Sequence, residues 1–423
     1  MLKNYLLIAY KVLLRRKIFT FISLTGISLT LMFLIVYTAY MENMLGTIPP
    51  ESRGNRILGA FRVEFSRDER SYVTNSRPGY LFLTDYVKIQ TLPHIEYASV
   101  LSPPVPVEGV CRGRMFKVFR KWTDGAYWKI LDFEFTEGAP FTVEDEQNAR
   151  FVAVINTTVR KKLFGRADAI GETIMVDGQN FRVIGVVNDV PSYREIPFAE
   201  VWVPLTTAKT VDYRTDGHVG MFYGIVLAEN SAVIPQIRDE YRARVSRYEY
   251  PPFRDYDTAT GEMQTFSDFI AGRMLPEVFL QPGSGCLARS GFTLQITLPM
   301  LLFMLLPALN LVNINLSRII ERSSEIGVRK AYGASSWDLV GQFLVENIIL
   351  TLLGGFIGLT LSLLFLRGFA ALDLIPYGQL RFNGWVFFYG FVVTLVFGIV
   401  SGVYPAWKMS RHHPVEALRR SPL

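Results

Sequence analysis

Four stretches of this chain carry apolar residues almost without interruption: Ile18–Met41, Phe292–Leu316, Val340–Phe369 and Trp385–Trp407. A bilayer core of about 30 Å is crossed by roughly 20 apolar residues in a helix, and backbone polar groups in lipid must be satisfied within the segment. The pattern therefore predicts transmembrane helices at 18–41, 291–316, 340–369 and 385–407. Residues 1–17 behave differently. Leu2, Tyr5, Leu6, Ala9, Val12 and Leu13 fall on one helical face, with Lys3, Lys11 and Arg15 off it, which predicts an amphipathic helix lying on the inner leaflet.

Between the first two apolar runs, residues 42–290 alternate short apolar segments with turn and cap signals. Phe151–Ile155 reads as a strand, and Asn156 or Thr157 caps a helix that runs to Phe164 and stops at Gly165. Thr173–Val176 and Phe181–Val187 flank Asp177-Gly178, a hairpin signal. Met115–Lys121, Val201–Pro204 and Phe222–Leu227 read as strands, and Thr84–Gln90 and Val233–Tyr248 as helices. Ser102–Pro106, Pro251–Phe253 and Gln281–Gly285 read as loops or subdomain edges. The fold class is a membrane protein of four transmembrane α-helices with a large extracytoplasmic α+β domain inserted between spans 1 and 2.

Charge sets the orientation. Lys3, Lys11, Arg15, Arg16 and Lys17 precede span 1, Arg318, Arg322, Arg329 and Lys330 lie between spans 2 and 3, and Lys408, Arg411, Arg419 and Arg420 follow span 4. The positive-inside rule then places both termini, the 317–339 segment and the 408–423 tail in the cytoplasm, and 42–290 and the short 370–384 loop outside. The composition of the 423 residues, 50% hydrophobic and 19% charged, averages a membrane part and a soluble part. The formal net charge of +6 is largely explained by these span-end residues, so nucleic acid is not a predicted partner.

Chemistry is sparse. The chain has no phosphate-cradling G-x-x-x-x-G-K-[ST] loop, no H-E-x-x-H, no C-x-x-C and no G-x-S-x-G. Its four histidines, His94, His218, His412 and His413, are too scattered for a metal site. No catalytic residue, cofactor or metal is expected. Cys111 and Cys286 both fall in the outer domain, where a bridge is chemically allowed, and two free thiols are the stronger reading. Inside the spans, Gly354 with Gly358 and Gly398 with Gly402 form G-x-x-x-G pairs suited to close helix contact. Glu346 is either a functional intramembrane acid or a headgroup-depth partner of a nearby arginine.

The segment Arg322…Glu325-Ile326-Gly327-Val328-Arg329-Lys330-Ala331…Gly333-Ala334, followed by Gln342-Phe343-Leu344…Glu346, resembles the signature of MacB/FtsX-type ABC transporter permeases. The ending Gly402…Tyr404-Pro405-Ala406…Pro414…Glu416-Ala417-Leu418-Arg419 is similar to that family's C-terminal pattern, and Gly171-Glu172-Thr173-Ile174…Phe181–Val187…Asp189 resembles its extracytoplasmic core domain. The departures are Tyr332, where an aliphatic residue is usual, and the His412-His413 pair.

The resemblance implies a non-enzymatic permease subunit in the inner membrane. It implies a homodimer or a heterodimer with a similar permease, a separate cytoplasmic ABC ATPase, and a periplasmic adaptor and outer-membrane protein as further candidate partners beside membrane lipids. Arg322, Glu325, Ile326, Gly327, Arg329, Lys330, Gly333 and Ala334 would form the coupling helix that docks on the ATPase. Gln342, Glu346, Gly354, Gly358, Gly398, Gly402 and Pro405 would lie in the spans and their interfaces. The implied work is mechanotransmission for export or extraction of a peptide, drug or lipid-type substrate. The alternative is a membrane-anchored signalling or scaffold protein that regulates an extracytoplasmic hydrolase or a sensor.

Overall fold

The computed structural model describes residues 17–67, 71–214, 219–247, 258–274 and 335–372, with Arg15 and scattered positions between 294 and 399. Residues 1–14 and 16 of the predicted amphipathic helix 1–17, residues 317–334 of the predicted coupling segment, the loops Pro251–Phe253 and Gln281–Gly285, and the tail 408–423 lie outside these residues. The chain divides into two compact units. One comprises Met1–Asn43, Ser290–Leu374 and Leu380–Leu423, and the other Met44–Arg289 with Ile375–Gln379.

Helix α1 spans Lys17–Leu45. Its only charges are Lys17 and Glu42, near the two ends, and it contains no proline. Two of its polar side chains turn back on their own helix: Thr38 Oγ1 donates to the Leu34 carbonyl at 2.7 Å and Asn43 Nδ2 to the Ala39 carbonyl at 2.7 Å. That self-satisfaction suits a helix with no water beside it.

The second unit is α+β. Its strands in chain order are β1 Ile57–Ala60, β2 Val63–Arg67, β3 Ser71–Ser76, β4 Ile95–Leu101, β5 Val105–Cys111, β6 Arg114–Thr123, β7 Phe135–Gly138, β8 Val152–Asn156, β9 Thr173–Val176, β10 Gln179–Val187, β11 Val201–Pro204, β12 Tyr223–Ala228, β13 Thr258–Gly261 and β14 Gln264–Thr265. Its helices are α2 Tyr127–Ile130, α3 Val143–Gln147, α4 Thr157–Phe164, α5 Ile234–Ser246 and α6 Phe266–Met274.

The strands β11-β8-β10-β9-β5-β6 follow one another, and β11 also pairs with β6 in parallel, so this path closes into a small barrel. Alternation fills it: Phe116 and Val118, Ala153 and Ile155, Ile174 and Val176, Phe181 and Val183, and Val201 and Val203 point to one buried cluster. From β6 the sheet continues through β4, β12, β1 and β14, beside a three-stranded sheet β13-β2-β3. A second core gathers there around Phe65, Phe82, Val226 and Tyr241.

Local sequence explains several elements. Asn156 Oδ1 accepts from the Val159 N–H at 2.8 Å and caps α4, which ends at Gly165 with φ of 61°. Asp177 and Gly178 both take positive φ, 51° and 74°, as a two-residue hairpin turn requires. Two expectations are corrected. The predicted helix Thr84–Gln90 is a single turn at Phe82–Tyr86, then a break at Lys88 with φ of 51°, then a 3-10 turn at Ile89–Thr91. The anchors Phe82, Leu83 and Ile89 are all buried, and no continuous helix from 84 replaces this path. The predicted loop Ser102–Pro106 gives its last two residues to β5. Pro106 fits because β5 pairs with β9 only at Gly109 and Val110, so the missing proline donor faces no partner strand.

Helix α7, Ser336–Ala371, is 36 residues long, about 54 Å at an α-helical rise. It takes in the predicted span 3 and begins four residues before it. Among the described residues, Thr20–Leu45 and Leu344–Phe369 are the helices long and apolar enough to cross a membrane. The predicted spans 2 and 4 lie mostly outside the described residues.

Candidate functional site

Two arrangements stand out for a protein without catalytic motifs, one in each unit. In the first unit α1 and α7 touch through glycine. A Cβ on Gly354 would stand 2.7 Å from Cγ2 of Ile27, and one on Gly358 would stand 2.9 Å from the Ser28 carbonyl and 3.0 Å from Cβ of Leu31. The missing side chains let Ser28 Oγ donate to the Gly354 carbonyl at 3.0 Å, with Ile27 and Leu31 packed beside it. Gly355 turns to another side, where a Cβ would lie 2.8 Å from the Phe391 ring. Close backbone approach of this kind supplies dispersion and weak polar contact where lipid removes the hydrophobic driving force.

In the second unit a charged network is buried at its chain root, around the residues that follow α1. Arg194 is 1% exposed. Its guanidinium donates to the carbonyls of Gly46 at 2.7 Å and Ile48 at 3.0 Å, and pairs with the Glu51 carboxylate at 2.9 Å. The segment carrying Arg194 is itself gripped from the core. Lys121, fully buried on β6, donates from Nζ to the carbonyls of Glu195 at 2.6 Å and of Ile196. The Tyr127 hydroxyl donates to the Ile196 carbonyl at 3.2 Å. The Glu195 carboxylate accepts from the Tyr223 hydroxyl at 2.6 Å and pairs with Arg77 at 3.2 Å.

Burial governs the charges. It pushes the Glu51 carboxyl up to about 7, against the pull of Arg194 and Lys121. It brings the Lys121 ammonium down to about 7, against Glu195 and Glu51. Farther along the same domain, Asp124 is raised to about 6 by burial although Ser99, Val100 and Tyr127 donate to it. A buried ion pair contributes little net stability over an apolar pair, but losing one partner is costly because the other is left charged without water. The network therefore makes the path Gly46–Glu51 rigid with respect to the core: a displacement of that path strands buried charge.

Of the residues singled out in the sequence, Gly354 and Gly358 are brought together with α1, and Glu346 is buried on α7. Gln342 lies on α7, its side chain outside the described residues. Arg322, Glu325, Ile326, Gly327, Arg329, Lys330, Gly333, Ala334, Gly398, Gly402 and Pro405 all lie outside the described residues, as does Cys286. Cys111 is a free, buried thiol, raised by desolvation. Among the described residues no group of three or more His, Cys, Asp or Glu is placed to hold a metal. Sequence reasoning passed over Arg194, Lys121 and Glu51. Nothing in their local sequence marks them, because their partners lie far along the chain.

The family described as the MacB-like periplasmic core domain matches residues 20–244, and the FtsX-like permease C-terminal family matches residues 298–414. The chain belongs to the MacB/FtsX-type permeases. The macrolide export ATP-binding/permease protein MacB of Bdellovibrio bacteriovorus is 30% identical over 290 residues, 67% of this chain and 41% of that protein. The MacB of Escherichia coli (strain K12) is 28% identical over 305 residues, 70% of this chain and 42% of that protein. The chain thus spans about two-fifths of the length of the curated relatives it matches. The solved periplasmic region of MacB from Actinobacillus actinomycetemcomitans aligns at a TM-score of 0.36 and 15% identity over 54% of this chain and 95% of that one. In this MacB/FtsX-type permease the core-domain match contains Glu51, Lys121 and Arg194, and the C-terminal match contains the 322–334 segment with Gly354 and Gly358.

Proposed function

We propose that this MacB/FtsX-type permease carries an ATP-driven conformational change across the inner membrane into its periplasmic core domain, for export or extraction of a peptide, drug or lipid-type substrate. In this reading four spans cross the membrane with both termini in the cytoplasm, and two such permeases pair. Hydrolysis is supplied by an ATPase outside these 423 residues. Residues 321–337, with Arg322, Glu325, Ile326, Gly327, Arg329, Lys330, Gly333 and Ala334, form the docking element. Glu325 and Arg329 are spaced i,i+4, which steadies a short exposed helix. Gly354, Gly358, Gly398, Gly402 and Pro405 serve the packing and shape of the spans, with Gln342 and Glu346 at their inner end.

The observation that carries the reading is the Arg194 clamp. A predicted membrane helix that ends at Leu45 and is followed within a few residues by a buried, multiply bonded segment is suited to pass on movement rather than absorb it. A flexible tether would have isolated the two. A periplasmic adaptor and an outer-membrane protein would complete an export path. The test is co-purification of the solubilised full chain with an ATPase, read by mass and by ATP hydrolysis. Glu325→Ala and Arg329→Ala are each expected to lower ATPase retention or coupling about tenfold or more, the loss of one or two charge-assisted contacts. Wild-type retention and coupling in both variants sinks the docking assignment. Recovery of a cell-wall hydrolase or sensor kinase in place of an ATPase moves the function to signalling.

A further inference from the structure

The loop between predicted spans 3 and 4 is short, and residues Ile375–Gln379 of it belong with the second unit. Tyr377 is the described residue among them. Its hydroxyl donates to one carboxylate oxygen of Glu200, while the other oxygen of the same carboxylate accepts from the Phe119 N–H at 2.6 Å. Its ring packs at 6.0 Å on Phe198, which is buried and also lies 5.5 Å from Phe119. Tyr377 sits at φ of 61°, a left-handed conformation that a non-glycine residue adopts at some cost and keeps when its surroundings demand it. Burial and the Glu200 charge both push the phenol up, so the hydroxyl stays a donor.

The acceptor lies on the segment that holds the root network. Phe198 N–H donates to the Arg194 carbonyl at 2.9 Å, closing one turn, and Glu200 N–H donates to the Phe119 carbonyl at 2.8 Å, locking the end of that turn to β6. Within seven residues the protein therefore holds the path that follows α1, through Arg194, and the loop that follows α7, through Phe198 and Glu200. A tyrosine that merely covered the surface would need neither a fixed carboxylate nor a strained backbone.

We propose that Tyr377 is a positioning residue that ties the span 3–4 loop to the Arg194–Glu200 segment, so that this one segment receives movement from two membrane-side attachments at once. The proposal rests on the mechanotransmission reading above and names the joint through which it acts. Its consequence is that the segment responds to the difference between the two inputs. When both attachments shift together the barrel moves as a body, and when they shift apart the turn between Arg194 and Phe198 is strained.

The test is hydrogen exchange on the full chain with its co-purified ATPase in nanodiscs, nucleotide-free and trapped with ADP and vanadate. The wild type is expected to change exchange in peptides covering 194–200 several-fold between the two states. Tyr377→Ala and Glu200→Ala are expected to bring that ratio close to one while ATPase retention stays unchanged, with Tyr377→Phe intermediate because it keeps the ring on Phe198. A wild-type ratio in Tyr377→Ala overturns the proposal. So does equal acceleration of exchange in both states, the mark of a merely structural residue; either result leaves the mechanotransmission reading standing. No nucleotide-dependent change anywhere in residues 44–289 of the wild type overturns that reading, and the proposal with it.

Discussion

The α1–α7 helix pair and the root of the outer domain meet the same need, a firm attachment, by opposite means. In the helix pair the attachment is made by what is missing: Gly354 and Gly358 remove side chains so that backbones and Ser28 approach. At the root it is made by what is added: Arg194, Glu51 and Lys121 bring charge into the buried interior and pair it with carbonyls and one another. The difference follows from the surroundings. In lipid an added charge is penalised and shape is the available resource. Inside a water-soluble domain, a satisfied charge fixes geometry because every displacement leaves it exposed to the cost of burial.

The comparison breaks first at Arg194. Arg194→Ala leaves Glu51 buried beside two freed carbonyls and is expected to lower outer-domain stability by about 3–5 kcal/mol, read from denaturant unfolding of the full-length protein in detergent. A loss below about 1 kcal/mol would mean that the clamp does not hold the domain root. Next in size is Gly358→Ile, which drives side-chain atoms into the Ser28 carbonyl and Leu31. Overpacking of this kind costs about 1–3 kcal/mol and should appear as earlier thermal unfolding of the membrane part. Ser28→Ala removes only the hydrogen bond, worth about 0.6 kcal/mol in such settings. If Ser28→Ala proves as damaging as Gly358→Ile, the contact is polar rather than steric.

The smallest effect is a slope. Glu51 is raised from 4.5 to about 7, so the folded state holds its proton longer than the unfolded state. The stability it contributes is present below about 4.5 and is lost as pH rises through about 7. Lys121 is lowered from 10.5 to about 7, so its contribution is present above about 10.5 and is lost as pH falls through about 7. Glu146, also raised to about 7, and Asp124, raised to about 6, add to the acidic limb. Stability against pH should therefore dip near neutrality. Glu51→Gln should flatten part of the limb between about 4.5 and 7 and leave the alkaline limb alone, whereas an unchanged acidic limb would show that Glu51 does not titrate as a buried acid.

Much of the scaffold was legible in the sequence, for local reasons. The Asp177-Gly178 turn demands positive φ at adjacent residues, which few sequences tolerate, and Asn156 announces a helix by offering an acceptor where N–H groups lack one. The long apolar runs of α1 and α7 are equally plain. The root network was not legible, because its partners are far apart along the chain: Arg194 reaches back 148 residues to Gly46, and Lys121 reaches forward 74 to Glu195. In a linear reading these are ordinary surface charges. The Thr84–Gln90 expectation failed because residues that favour a helix were overruled by three buried anchors, Phe82, Leu83 and Ile89. Residues 321–334 were read from their resemblance rather than from folding physics, and they lie outside the described residues.

The Tyr377–Glu200 contact also has a place in time. The two residues are separated by 177 positions, and the acceptor is synthesised first. By the time Tyr377 leaves the ribosome, the barrel strands, the clamp and the whole of α7 have already been made. The residues that bury the domain's charges are made early, but the bond to Glu200 waits for the end of the third apolar run. A chain stopped before that point leaves one Glu200 carboxylate oxygen without the Tyr377 hydroxyl and the Phe198 ring without its neighbour.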